Sequence, residues 1–131
     1  MANRNDRVLS FGLLVLRILM GSGIAYHGYG KVIGGQVALL TGGLEQMGFP
    51  FPIVFAWAAA LSEFLGGIFI VIGFKTRIAA MFVFFTMSVA AFIAHAHDPF
   101  NIKELALAYW TMSLTLILTG AGKFSIDGRM D

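Results

Sequence analysis

Glu63 and Arg17 are the two residues whose chemistry is hardest to reconcile with their surroundings. Glu63 interrupts an apolar run from Phe51 to Phe74, and Arg17 interrupts another from Val8 to Tyr26. A lone charge at the centre of a membrane helix costs about 2.5–3.5 kcal/mol on the insertion scale, so each must be paired or neutral. Counted from the ends of their apolar runs, both fall near the same depth at about 1.5 Å per residue. The expectation is a charge-assisted Arg17–Glu63 ion pair. Such a pair serves either as a clamp on helix register or as a proton or ligand site.

A second group of chemically able residues gathers at the helix ends. His27 closes the first apolar run, His95 and His97 close the third, and Glu104 opens the fourth, with Lys31, Tyr26, Tyr29 and Asp98 close by in sequence. Glu104, Ala108, Thr111 and Thr115 recur at helical spacing, which predicts a polar stripe facing inward. His27, Lys31, His95, Glu104 and Thr111 are therefore the candidate lining of an outward-opening polar pocket. Two histidines and a carboxylate suit a metal ion, paired histidines suit haem, and a histidine with a polar partner suits the carbonyls of a quinone. The plainer alternative is interfacial side chains bonded to water and lipid headgroups. Metal and haem are disfavoured: His-x-His on a helix separates its rings by about 200°, and no metal-binding motif is present. No cofactor-binding motif is evident either.

Composition supplies the solvent that these residues meet. The chain has 131 residues, 58% hydrophobic and 12% charged, with a mean hydropathy of +0.82. Soluble domains average roughly 25% charged residues, so this is a membrane protein. A formal charge of +2 without a basic run argues against nucleic acid as a partner, and the absence of cysteine excludes disulfides and thiol chemistry. The length fits one domain over 1–131.

Four apolar segments, Val8–Tyr26, Phe51–Phe74, Ile78–His95 and Leu105–Thr119, predict an all-α, polytopic, antiparallel four-helix transmembrane bundle. The fourth reaches a spanning length of about 17–20 residues only if Ile102–Glu104 join it. A retained first helix is preferred to a signal peptide, because no small-x-small cleavage site precedes Tyr26. Thr76 is the expected cap of the third helix. Leu40, Leu44 and Met47 mark a short amphipathic helix lying at the interface in the first outer loop. Arg4, Arg7, Lys75, Arg77, Lys123 and Arg129 fall on one side of the bundle, against Lys31 and Lys103 on the other, which predicts both termini in the cytoplasm. The tail "GAGKFSIDGRMD" reads as a terminal stop without further function.

Arg17, "GYGKV", "MGFPFP", "EFLGGIFIVIGFKTRIAA", His95 and "GAGKFSID" together resemble the DoxX family of small four-helix membrane proteins, over nearly the whole chain. One departure is Ala121, where members often carry proline. The resemblance implies quinone-linked oxidoreductase or redox-stress chemistry with partner subunits, and the expectation extends to a bound quinone and to a homo-oligomer as the alternative to partners; the lack of a eukaryotic targeting signal points to a bacterial or archaeal inner membrane. Two other functions remain open: a non-catalytic structural or assembly subunit of a larger complex, and a small-solute transporter gated by Arg17 and Glu63.

Overall fold

A computed structural model describes residues 3–131, and among them every regular element is helical. Helix α1 (Arg4–Val32) has 29 residues, or about 44 Å. That exceeds a hydrocarbon core of about 30 Å. It starts at a reciprocal cap, in which Asp6 N–H donates to Asn3 Oδ1 at 2.8 Å and Asn3 N–H donates to Asp6 Oδ2 at 3.3 Å. Helix α2 (Val37–Gln46) is short and docks on α3 (Pro52–Ile72). Val37 and Leu44 bury against Ala56 and Ala60, with Leu40 partly covered beside them. Met47 lies outside the helix as its cap and stays exposed.

Helix α4 (Thr76–Val89) follows after a three-residue turn and ends in a π-helical turn at Ala90–Ala94. Helix α5 (Phe100–Thr119) returns along α4, and a short α6 (Ile126–Met130) ends the chain. Ile102–Glu104 belong to α5, which starts earlier than its apolar run. Among the described residues, three stretches are long and apolar enough to cross a membrane: α1, α3 and Thr76–Ala94. The 20-residue α5 is as long but carries Lys103, Glu104 and three threonines.

Small residues set the closest contact. A Cβ on Gly21 would stand 2.7 Å from the Gly67 carbonyl oxygen, and one on Gly67 would stand 2.6 Å from the Ala25 nitrogen. No side chain fits there, so the backbones of α1 and α3 touch, as they do where membrane helices associate. The core between the long helices contains Met20, Ile24, Ile70, Val83, Met87 and Leu116. Large apolar side chains such as Leu19, Phe85 and Leu118 point away from it into the surroundings. That outward apolar coat is what a bilayer solvates.

The cap of α4 differs from expectation. Lys75, with φ 49°, takes the N-cap position, and Thr76 is already helical. The carboxylate of Asp127 reaches across from the C-terminal segment and accepts from Lys75 N–H at 2.8 Å and Thr76 N–H at 2.9 Å. Two free donors of the helix start are satisfied here by a residue 51 and 52 positions away in sequence.

Candidate functional site

The expected Arg17–Glu63 pair is not formed. The Lys31 ammonium, in the last turn of α1, donates to the Glu63 carboxylate in an ion pair. Glu63 is 4% exposed, in the middle of the buried face of α3. Gly28 lies directly against the Glu63–Phe64 backbone, with no space for a Cβ. Glu63 therefore stands opposite Gly28, eleven residues beyond Arg17 along α1, or about 16 Å. The cause is where the helices begin and end. α1 continues to Val32, six residues past the apolar run, while the first two turns of α3 extend beyond α1 and pack on α2 through Ala56 and Ala60. Equal counts from the two ends thus do not give equal depth.

Arg17 is fully buried without a carboxylate partner. Its Nη1 donates to the carbonyls of Ile70 at 3.4 Å and Val71 at 3.2 Å, and its Nη2 donates to the carbonyl of Phe124. The last carbonyls of α3 lack intrahelical donors and carry the negative end of the helix dipole, so a guanidinium is well placed there. Gly73, at φ 71°, ends the helix where a Cβ would strike the Arg17 guanidinium and Ser125. The C-terminal segment thus closes over Arg17. Ser125 Oγ donates to the Gly122 carbonyl at 2.6 Å, Asp127 N–H donates to the Gly73 carbonyl at 2.8 Å, and Lys123 N–H donates to Ser10 Oγ at 3.2 Å. The tail is a fitted plug and more than a stop. Burial pushes the Asp127 carboxyl upward, but hydrogen bonds from Thr76 and Lys75 and the Lys75 charge outweigh it. The carboxyl sits below its usual range.

The other candidates separate into two places. His27 packs edge-on against Tyr109 of α5, with ring centroids 6.0 Å apart. Tyr109 is buried, and its hydroxyl presses on α1 at Gly23. Gly23, His27 and Lys31 follow one another at four-residue spacing along one side of α1. Lys31, Glu63, His27 and Tyr109 form a cluster near the α2 end of the bundle, where α1 and α5 otherwise pack sparsely. His95 is held apart: its Nδ1 pairs with Asp98 Oδ2 at 2.7 Å in the turn before α5. The expected inward stripe on α5 faces outward. Glu104, Ala108 and Thr111 are exposed, and the buried face is Tyr109, Ser113 and Leu116. Thr111 Oγ1 donates to the Leu107 carbonyl at 2.9 Å and Thr115 Oγ1 to Thr111 at 3.0 Å. With the hydroxyls satisfied on their own helix, nothing draws that face inward. No hydrogen bond or ion pair joins His95, Glu104 or Thr111 to His27 or Lys31 among the described residues. No group of three or more histidine or carboxylate side chains fit to hold a metal occurs among the described residues.

Tyr109 and the Asp127 plug were missed from sequence. Tyr109 offers little signal beside Trp110, but "SID" following the Gly120–Gly122 pair is a helix-start pattern with an acid free to cap elsewhere.

The model of the family described as DoxX matches residues 12–96. The chain belongs to the DoxX family. Among its relatives, the Escherichia coli protein named inner membrane protein YqjF is 36% identical over 123 residues, covering 88% of this chain and 89% of that one. The Escherichia coli inner membrane protein YphA is 30% identical over 128 residues, covering 89% of each. An uncharacterized protein of Haemophilus influenzae is 28% identical over 134 residues, covering 97% of this chain and 96% of that protein. No solved structure matches the chain. It is an integral membrane protein. "GFKTR" and "KFSID" are the two halves of one junction: Lys75 and Thr76 N–H donate to the Asp127 carboxylate, Asp127 N–H donates to the Gly73 carbonyl, and Arg17 donates to the carbonyls of Val71 and Phe124.

Proposed function

We propose that this DoxX chain is a subunit of a quinone-linked oxidoreductase in a bacterial inner membrane, and that its quinone headgroup site is the Lys31–Glu63–His27–Tyr109 cluster. The observation that carries the reading is the buried Glu63 carboxylate, salt-bridged to Lys31 inside a membrane helix. Intramembrane ionisable groups mark proton and ligand pathways. Quinone reduction couples electrons to protons, and Lys31 and Tyr109 bring donors to the headgroup while the imidazole of His27 both gives and takes protons. His27 is exposed on α1 beside Tyr109. The sequence carries no cofactor-binding motif, and in this proposal the electrons come from a partner subunit or from the substrate.

The decisive experiment measures quinone content and quinol formation in native-membrane nanodiscs. We expect bound quinone in the native chain and its loss in His27→Ala, with the melting temperature unchanged. Native chain without quinone and without quinol formation beside its partners overturns the reading.

A second reading, a non-catalytic assembly subunit, draws on the outward stripe of Glu104, Ala108 and Thr111, which suits protein better than lipid. A transporter gated at Arg17 and Glu63 has lost its gate, since those charges are held by different partners.

A further inference from the structure

Two cavities lie apart from the Lys31–Glu63 cluster, and they meet at Lys75 and Ile78. The first is a groove of about 550 Å³ on the outer face of the bundle between α3 and α4. Leu61, Leu65, Phe69, Ala79 and Phe82 line it, with Ser62 as its one hydroxyl. The second has about 820 Å³ and lies at the end of the bundle that carries the C-terminal plug. Its lining mixes apolar side chains such as Leu9 and Leu13 with three cations, Lys75, Arg77 and Lys123, and three carboxylates, Asp6, Asp127 and Asp131. An apolar channel that opens at a lysine into a charged recess has the outline of an amphiphile.

We propose that the joined cavities bind one phospholipid, with an acyl chain in the α3–α4 groove and the phosphate between Lys75 and Arg77. The groove extends along α3 from Ala58 to Phe69, eleven steps or about 16 Å. One leaflet of a hydrocarbon core is about 15 Å. The backbone of Lys75 is fixed by Asp127 at a positive φ, which aims the side chain from a rigid turn. Its ammonium makes no hydrogen bond or ion pair among the described residues, and its charge acts at longer range on the Asp127 carboxylate. Arg77 spends Nη1 on the Ile117 carbonyl at 3.2 Å and keeps further donors. A quinone brings no charge to Lys75. A second copy related by a two-fold axis along the membrane normal would bring its own Lys75 to the same level, like charge against like. A phosphate answers both objections. The site stands independently of the quinone reading.

The test is native mass spectrometry of the delipidated chain, offered phosphatidylglycerol or a diacylglycerol with the same acyl chains. One phosphatidylglycerol per chain should survive detergent removal, with diacylglycerol held at least about fivefold less, the usual effect of a basic residue at an anionic lipid surface. Lys75→Asn, which tolerates the positive φ, should lower phosphatidylglycerol retention about fivefold. Ser62→Phe, which fills the groove from the outer face, should lower retention of both lipids. A melting measurement confirms that each variant is folded. Equal retention of the two lipids, or undiminished phosphatidylglycerol in both folded variants, overturns the proposal.

Discussion

Lys31 closes on Glu63 from the last turn of α1, and this ion pair joins two helices whose backbones already touch at Gly28. The carboxylate is almost wholly buried while the lysine side chain keeps 24% of its surface exposed. Truncating one partner of a buried pair costs about 3–5 kcal/mol, because the other charge is left uncompensated. Lys31→Met should therefore destabilise the bundle strongly, and Lys31→Met with Glu63→Gln should cost less than the sum of the two. Arg17→Met combined with Glu63→Gln should be additive within about 0.5 kcal/mol, as for sites that share no partner. Denaturation of the three single and two double variants in mixed micelles measures both cycles. A coupling between Arg17 and Glu63 as large as that between Lys31 and Glu63 would restore the midplane pair.

The Asp127 cap predicts an acid sensitivity with a definite sign. The carboxyl sits below its ordinary value because its hydrogen bonds from Thr76 and Lys75 favour the charged form. A depressed carboxyl contributes stability that is present above its unfolded value of about 3.9 and is lost as pH falls through the folded one. The native chain should lose this contribution below about pH 4. Asp127→Asn should be less stable at neutral pH by about 1–2 kcal/mol, a typical cap loss, and the gap should narrow on acidification. Thermal melts across that range provide the measurement, and a constant gap would show that the cap carries no charge-dependent energy.

Much of the fold was legible in the sequence. The apolar runs marked the long helices, the charged break at 75–77 marked a tight turn that the structure places two residues earlier at 73–75, and the small face around Glu63 marked a helix contact, which is with α1. The partner of Glu63 was not legible, because helix register depends on where each helix starts relative to its neighbour. Here the docking of α2 on Ala56 and Ala60 lets α3 extend past α1. The orientation of α5 was hidden for another reason. Thr111 and Thr115 bond carbonyls one turn back, so their polarity does not report which way they face. The plug was hidden because its contacts join residues as distant as Arg17 and Phe124.

Two glycines separate close packing from mere helix content. Gly28 has no room for a side chain against Phe64, whereas Gly42 of α2 has nothing within 4 Å of a Cβ. Gly28→Ala should push α1 from α3 and cost about 1–3 kcal/mol, in the range of overpacked cores. Gly42→Ala should be neutral or stabilising by up to about 1 kcal/mol, the helix-interior preference for alanine. Unfolding of both variants side by side tests the pair. A harmless Gly28→Ala would mean that α1 and α3 are not in backbone contact.

The C-terminal plug also decides how the chain is threaded. Lys123 bonds to Ser10, and Phe124 bonds to Arg17, so the tail is tied to the first half of α1 and both lie at one end of the bundle. Arg4, Arg7, Lys75, Arg77, Lys123 and Arg129 belong to that end, while Lys31 and Lys103 belong to the other. Basic residues flanking membrane helices are retained on the cytoplasmic side. The expected topology therefore has both termini in the cytoplasm and α2 outside. A C-terminal alkaline phosphatase fusion, active only in the periplasm, should be silent, and a fusion placed after Gly35 should be active. Removing Arg4 and Arg7 together should leave this orientation in place, because the tail and the α3–α4 turn still hold four basic residues at that end. An active C-terminal fusion would invert the bundle, carry the Lys31–Glu63 cluster to the cytoplasmic half of the membrane, and require any electron-donating partner to dock from that side.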